Sequence, residues 1–174
     1  GFNAARNHDS TTWLFRDGKW TPMSIPGPGK RYHHAMAYHP DRRKVVLYGS
    51  VDELSDTWEF DGSAWKKVLD VSAPADMTHH TMLYDPFRKL VLLHARNNLC
   101  ASDRKTWTLL SSEAPPRYFS AICVDPSSGT LILFGGVDSE LHSDTWEWNG
   151  KTWKQTIQGA SWKWNDGASK YLKK

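Results

Sequence analysis

Apolar and polar positions along this chain repeat one plan. Two apolar runs joined by a Pro-marked turn come first, followed by a polar–aromatic alternation broken at Asp-Gly or Asn-Gly. The apolar runs are residues 34–38 and 44–49 around His39-Pro40-Asp41, 80–84 and 89–93 around Asp85-Pro86, and 120–124 and 130–136 around Asp125-Pro126. They are rich in aliphatic and aromatic side chains and bounded by Pro, Gly, Asp or Ser, which predicts strands joined by hairpins. Their apolarity is continuous rather than alternating, as expected of strands covered on both faces.

The intervening segments alternate. Asp56-Thr57-Trp58-Glu59-Phe60 turns at Asp61-Gly62 and runs on through Trp65, and Thr145-Trp146-Glu147-Trp148 turns at Asn149-Gly150 toward Trp153. Both residues of such turns tolerate positive φ, so these are outer hairpins, half exposed. A spacing marks them: Trp13-x6-Trp20, Trp58-x6-Trp65, Cys100-x6-Trp107 and Trp146-x6-Trp153, with second positions 45, 42 and 46 residues apart. That period is the signature of stacked supersecondary units. Each unit is four antiparallel strands, two buried inner and two amphipathic outer, which is a propeller blade. The expected fold is therefore all-β, with blades over residues 24–68, 69–111 and 112–156. Residues 1–23 supply only the outer hairpin of an incomplete blade. Residues 157–174 form a basic tail in which Ser161-Trp162-Lys163-Trp164 and Lys170-Tyr171-Leu172 read as one more hairpin.

The order of apolar strand, Gly-Gly, variable loop, aromatic residue, six residues and Trp, best seen over residues 131–153, resembles the kelch repeat. The wording Asp-Thr-Trp-Glu-Trp-Asn-Gly is similar to that of bacterial kelch-type propellers and of galactose-oxidase-like central domains. Arg or His clusters ahead of the inner strands also fit: Arg31-Tyr32-His33-His34, Thr78-His79-His80 and Arg117-Tyr118. The resemblance covers about residues 1–156. It departs in two places: Gly-Gly stands only at Gly135-Gly136, against Gly49-Ser50 and His94-Ala95, and Cys100 stands where Trp or Tyr is expected. It implies a kelch-type propeller segment, and a family of binding modules, scaffolds and occasional enzymes.

Composition narrows the function classes. Apolar residues make up 39%, charged residues 24%, and no apolar run approaches the eighteen or so residues of a membrane span. No signal peptide or lipidation motif stands at the start, and the compartment stays open. Formal charge is +3, all of it carried by the tail (Lys163, Lys170, Lys173 and Lys174 against Asp166), which leaves residues 1–156 neutral. A neutral body lacks the basic face of a nucleic-acid binder. Cys100 and Cys123 both fall in predicted strands and read as buried free thiols, with a disulfide between them as the alternative.

The ends are incomplete. Three blades plus fragments do not close the ring that the resemblance implies, and an open stack leaves an apolar blade face at each end. The expected partner is the remainder of a larger propeller or a second copy of this chain; Trp162 and Trp164, outside the repeat register, are candidate interface residues covering such a face.

Loops on one side of the blades gather at the channel mouth, the default place for a ligand. Arg31, Tyr32, His33, His79, Arg117 and Tyr118 are the candidate binding residues there. Three readings stand: an anion or carbohydrate pocket with Arg31 and Arg117 as forked donors and the tyrosines as stacking surfaces; a metal bound by His33, His34, His79 and His80; or residues that simply hold each loop to its blade. Adjacent histidines in a strand point to opposite faces, so no metal is expected, nor any cofactor. Catalysis has little support: no phosphate-binding loop, His-Glu-x-x-His or Gly-x-Ser-x-Gly occurs, and the loop acids Asp52, Glu53, Asp138 and Glu140 read as solvated. A protein-binding or scaffolding module is the leading expectation. A carbohydrate-active propeller and a structural assembly subunit are the alternatives.

Overall fold

The computed structural model describes residues 9–49, 55–70, 73, 77, 79–159 and 161–163, the last three as backbone. The described chain is all-β. β1 (Thr12–Arg16) and β2 (Lys19–Met23) form a two-stranded hairpin around Asp17-Gly18. Three antiparallel blades follow, each a meander. The first blade is β3 (Ala35–His39), β4 (Lys44–Tyr48), β5 (Thr57–Phe60) and β6 (Trp65–Leu69). The middle blade is β7 (Thr81–Asp85), β8 (Leu90–Ala95), β9 (Asn98–Ser102) and β10 (Trp107–Ser111). The last is β11 (Ala121–Val124), β12 (Leu131–Val137), β13 (Glu140–Trp148) and β14 (Trp153–Ile157). The innermost strands β3, β7 and β11 lie side by side, so the blades stack as they do in a propeller.

Turn chemistry sets the hairpins. Asp61 caps its turn by accepting from the backbone N–H of Ser63 and Ala64, and Asn149 does the same for Lys151 and Thr152. Side-chain oxygens of this kind mimic a backbone turn and hold the outer strands in register.

The core lies in the two junctions on either side of the middle blade. One face of that blade packs Val91, Leu93, Cys100 and Trp107 against Ala37, Val46 and Tyr48 of the first blade. Its other face packs Leu92, Leu99 and Ala101 against Leu131 and Trp148 of the last. β8 and β9 are accordingly buried almost throughout.

Position in the stack decides burial more than strand type does. β3 was expected to be covered on both faces, yet Met36 and Tyr38 are exposed while Ala37 and His39 are buried. Met36 faces the hairpin, which has no inner strands among the described residues to cover it. The third strands were expected to be half exposed, as β13 is, but those of the first two blades are buried: Thr57, Glu59 and Phe60 in β5, and Leu99 through Ser102 in β9. Both cysteines are free, but only Cys100 is buried; Cys123 is exposed because it lies on the uncovered face of the last blade. Ser161–Lys163 is a strand, β15. It adds to the last blade, pairing antiparallel with the early part of β13, Leu141 opposite Trp162. The second arm, Lys170-Tyr171-Leu172, and Trp164 lie outside the described residues.

Candidate functional site

The two arginines of the candidate rim are buried and paired with carboxylates of the chain itself. Arg31, four residues ahead of β3, is 4% exposed and donates to Gly49 O and to Asp56 Oδ1 at 3.0 Å. Arg117, four residues ahead of β11, is 6% exposed and donates to Gly135 O and to both carboxylate oxygens of Asp144, Nη2 to Oδ2 at 2.7 Å. Each carboxylate also accepts from the indole two residues on: Trp58 Nε1 to Asp56 at 2.7 Å, and Trp146 Nε1 to Asp144 at 2.8 Å. The fork expected to hold a ligand carboxylate therefore grips the chain's own. Hydrogen bonds from Arg117 hold the Asp144 carboxyl down to about 2. Burial pushes Asp56 up, but the Arg31 and Trp58 hydrogen bonds more than reverse it and leave it below the ordinary value.

The middle blade lacks this lock as a unit. Strand register places Met77 where Arg31 and Arg117 stand, Asn98 in place of the aspartates, and Cys100 in place of Trp58 and Trp146. Cation, anion and indole are replaced together by a small apolar and amide set, with Cys100 Sγ 3.9 Å from Met77 Sδ. Burial pushes the Cys100 thiol up to about 11. Register also shifts one expectation: the counterpart of Gly135-Gly136 is Ala95-Arg96, one residue beyond His94-Ala95, and Arg96 keeps a positive φ of 52°. Gly136, at φ 100°, allows close approach of the rim, since a Cβ there would meet Tyr118 O at 2.8 Å.

The other rim residues do come together. His33, His79 and Phe119 occupy the same position in successive blades, two ahead of the inner strand, and all three adopt the left-handed region, with φ of 54°, 53° and 55°. That backbone is unusual for such side chains and aims all three rings at one another. Ring centroids lie 5.1 Å apart for His33–His79, 4.7 Å for His79–Phe119 and 6.1 Å for His33–Phe119. Tyr32 packs edge-on to His33 and Tyr118 to His79. Phe119, which sequence reasoning missed, is 61% exposed. No cluster of metal-ligating residues occurs among the described residues. His34 and His80 turn away from this rosette: His80 bonds Met77 O and Tyr48 O, and His34 lines a cleft beside the hairpin. Asp138, a loop acid, accepts from His142 at 3.0 Å and from the Glu140 N–H. Those bonds overcome burial and hold its carboxyl low, the wrong direction for a general acid. Asp52 and Glu53 lie outside the described residues.

A third feature emerges at the ends of the stack. Where a blade is followed by another, an outer-strand indole reaches back to a threonine of the unit before it: Trp65 Nε1 to Thr12 Oγ1 at 2.8 Å, and Trp107 Nε1 to Thr57 Oγ1 at 2.9 Å. At the third junction the acceptor position is Leu99, and the Trp153 indole has no partner among the described residues. Positions buried in these junctions are open at the ends. Trp107 is 5% exposed and its counterpart Trp20 is 66%; Tyr48 is 4% exposed and its counterpart Phe134 is 51%. Trp13 and Phe15 are exposed beside Trp20, as Cys123 and Ile157 are in the last blade. Between the hairpin and the first blade lies a cleft of about 270 Å³ lined by Leu14, His34, Met36 and Leu47. Trp162 joins the last blade through its backbone; Trp164 lies outside the described residues.

No protein-family model matches this chain, and no curated protein does either.

Proposed function

We propose that this chain is a kelch-type propeller segment that acts as a protein-binding and assembly module, with the two uncovered blade faces as its contact surfaces. The reading rests on one contrast: residues buried at the internal junctions, Tyr48 and Trp107, have counterparts at the ends, Phe134 and Trp20, that stand open. An aromatic side chain carries roughly 150–250 Å², so half-exposing each such ring forgoes about 2–3 kcal/mol at about 25 cal/mol per Å². Protein surface laid on these faces recovers that energy, which makes association the natural use of an open stack.

Light scattering at several concentrations, with binding of a hydrophobic fluorescent dye, tests this. The wild-type chain is expected to associate above its 19.9 kDa mass as concentration rises and to bind dye when dilute. Trp20→Asp combined with Phe134→Asp removes both properties and keeps the far-ultraviolet circular dichroism. A wild-type chain that stays monomeric throughout and binds no dye overturns the reading.

The ring cluster at the mouth favours a second reading, a carbohydrate site in which His33, His79 and Phe119 offer flat faces to a sugar ring. Saturation-transfer NMR over a panel of monosaccharides, with Phe119→Ala as the comparison, decides it. Signal lost in the variant supports a sugar site, and no signal from any sugar reduces the cluster to packing.

A further inference from the structure

The two open faces are not merely both apolar; they are the two halves of a junction that the molecule already makes. At the hairpin–first blade junction and again at the first–middle blade junction, the later unit contributes an indole N–H from the first residue of its outermost strand. The earlier unit contributes the hydroxyl of the threonine that precedes the third-strand aromatic residue. The second junction adds a ring contact, Tyr48 edge-on to Trp107 at 5.1 Å.

Each component of that junction recurs, unused, at an end. Trp20, the second residue of β2, stands opposite Phe15 as Trp65, the first of β6, stands opposite Phe60, and the paired rings sit 5.0 Å apart in both hairpins. Trp20 is 66% exposed and donates to no acceptor among the described residues. In the last blade Thr145 precedes Trp146 at the same strand irregularity that places Thr57 before Trp58. Its hydroxyl receives no donor among the described residues. Phe134, facing Thr145 across the sheet, takes the place of Tyr48, which faces Thr57. Donor, acceptor and ring partner are all present, but on opposite ends of one chain.

We infer that a second copy of this chain docks head to tail, its Trp20 seated on Phe134 and donating to Thr145 Oγ1, so that the hairpin of one copy continues the blade stack of the other. This rests on the proposed assembly role and names its partner. Face complementarity selects the partner, because the surface offered to the last blade is the one the first blade's outer hairpin offers to Thr12. A head-to-tail contact is heterologous, so it closes into a ring or propagates as a chain, according to the rotation at each step. Cys123 lies on the same face as Phe134 and Thr145, alternating with Ile122 along β11, and becomes covered on docking.

Two measurements test this. In a Cys123→Ser background, Trp20→Cys and Thr145→Cys variants are oxidised separately and mixed. A disulfide-linked pair of doubled mass is expected only in the mixture. A mixture that cross-links no more than its components overturns the inference, as does Trp20→Cys cross-linking efficiently to itself, which would mean a symmetric contact. In the wild-type chain, Cys123 alkylation is expected to slow at least tenfold between dilute and concentrated protein. A rate independent of concentration overturns the second-copy occupant, whether the thiol is always open or always covered by the chain's own remaining residues. Association with dye binding but no mixed cross-link removes the head-to-tail partner and leaves the protein-binding reading intact; loss of both removes both.

Discussion

Trp107 of the middle blade donates its indole N–H to the Thr57 hydroxyl of the first blade, 2.9 Å away across a junction from which water is excluded. Thr57 is 2% exposed and Trp107 5%, so neither group has solvent as a substitute partner. Thr57→Val preserves shape and removes the acceptor. The expected loss is about 1–3 kcal/mol, the cost of a buried donor left unsatisfied. Thr12→Val breaks the same bond to Trp65 at a part-exposed site and costs less, under about 1 kcal/mol by the ordinary net worth of a hydrogen bond. Urea unfolding of the two variants checks the order; equal losses would mean that the bond does not account for the difference.

Arg117 and Asp144 form a lock that must be removed as a unit. Arg117→Met leaves a buried carboxylate without its cation, a change that typically costs about 3–5 kcal/mol. The middle blade shows what the site accepts instead, since Met77, Asn98 and Cys100 stand in the places of Arg117, Asp144 and Trp146. The triple variant Arg117→Met, Asp144→Asn, Trp146→Cys is therefore expected to be more stable than Arg117→Met alone, even though it carries two further substitutions. Equilibrium unfolding of the single and triple variants provides the measurement, and a triple variant less stable than the single defeats the argument.

The blades themselves were legible because their signal is local. Hydrophobic runs, Pro-marked turns, Asp-Gly and Asn-Gly, and the six-residue Trp spacing all act within one unit, and the observed strands follow them closely. The Arg–Asp pairs were not legible, because Arg31 and Asp56 are 25 residues apart and Arg117 and Asp144 27, and nothing local ties them together. Seen as isolated charges near a rim, the arginines looked available for a ligand. The exposure of Cys123, Met36 and Phe134 depends on which side of which blade is uncovered, a property of the stack rather than of any strand. Phe119 was not among the candidate residues at the mouth, because its place in the ring cluster follows from a positive φ that a bulky side chain rarely adopts.

The two thiols are expected to differ sharply in reactivity. Cys100 is fully buried with its thiol pushed up to about 11, so almost none is thiolate near neutrality. Cys123 is exposed. Native protein at low concentration should react with one equivalent of a thiol reagent and denatured protein with two, the native adduct mapping to Cys123 by peptide mass. Two fast equivalents in the native state would mean that the middle blade opens readily.

His94 makes the stack sensitive to mild acid. It is 1% exposed at the junction of the middle and last blades, with Nδ1 3.2 Å from Ser120 Oγ, while Nε2 has no partner among the described residues. Burial pushes its ionisation down to about 4 from an ordinary 6.5, so the folded chain holds a neutral imidazole where the unfolded chain takes up a proton. Between those two values the unfolded state binds more protons, and stability falls as pH falls. The site's contribution is fully present above about pH 6.5 and lost by about pH 4, a change of about 3 kcal/mol at 1.36 kcal/mol per unit. Asp144, held down to about 2 by Arg117, loses its contribution only at lower pH, below the ordinary carboxylate value, so the two windows separate. His94→Phe installs the residue that the last blade carries at this position, Phe134, and removes the titration. Its stability should lie within about 1.5 kcal/mol of wild type at pH 7, given similar volume, and should fall less steeply from pH 6.5 to 4. Urea midpoints across that range provide the comparison; parallel curves for variant and wild type would show that His94 is not the group that titrates.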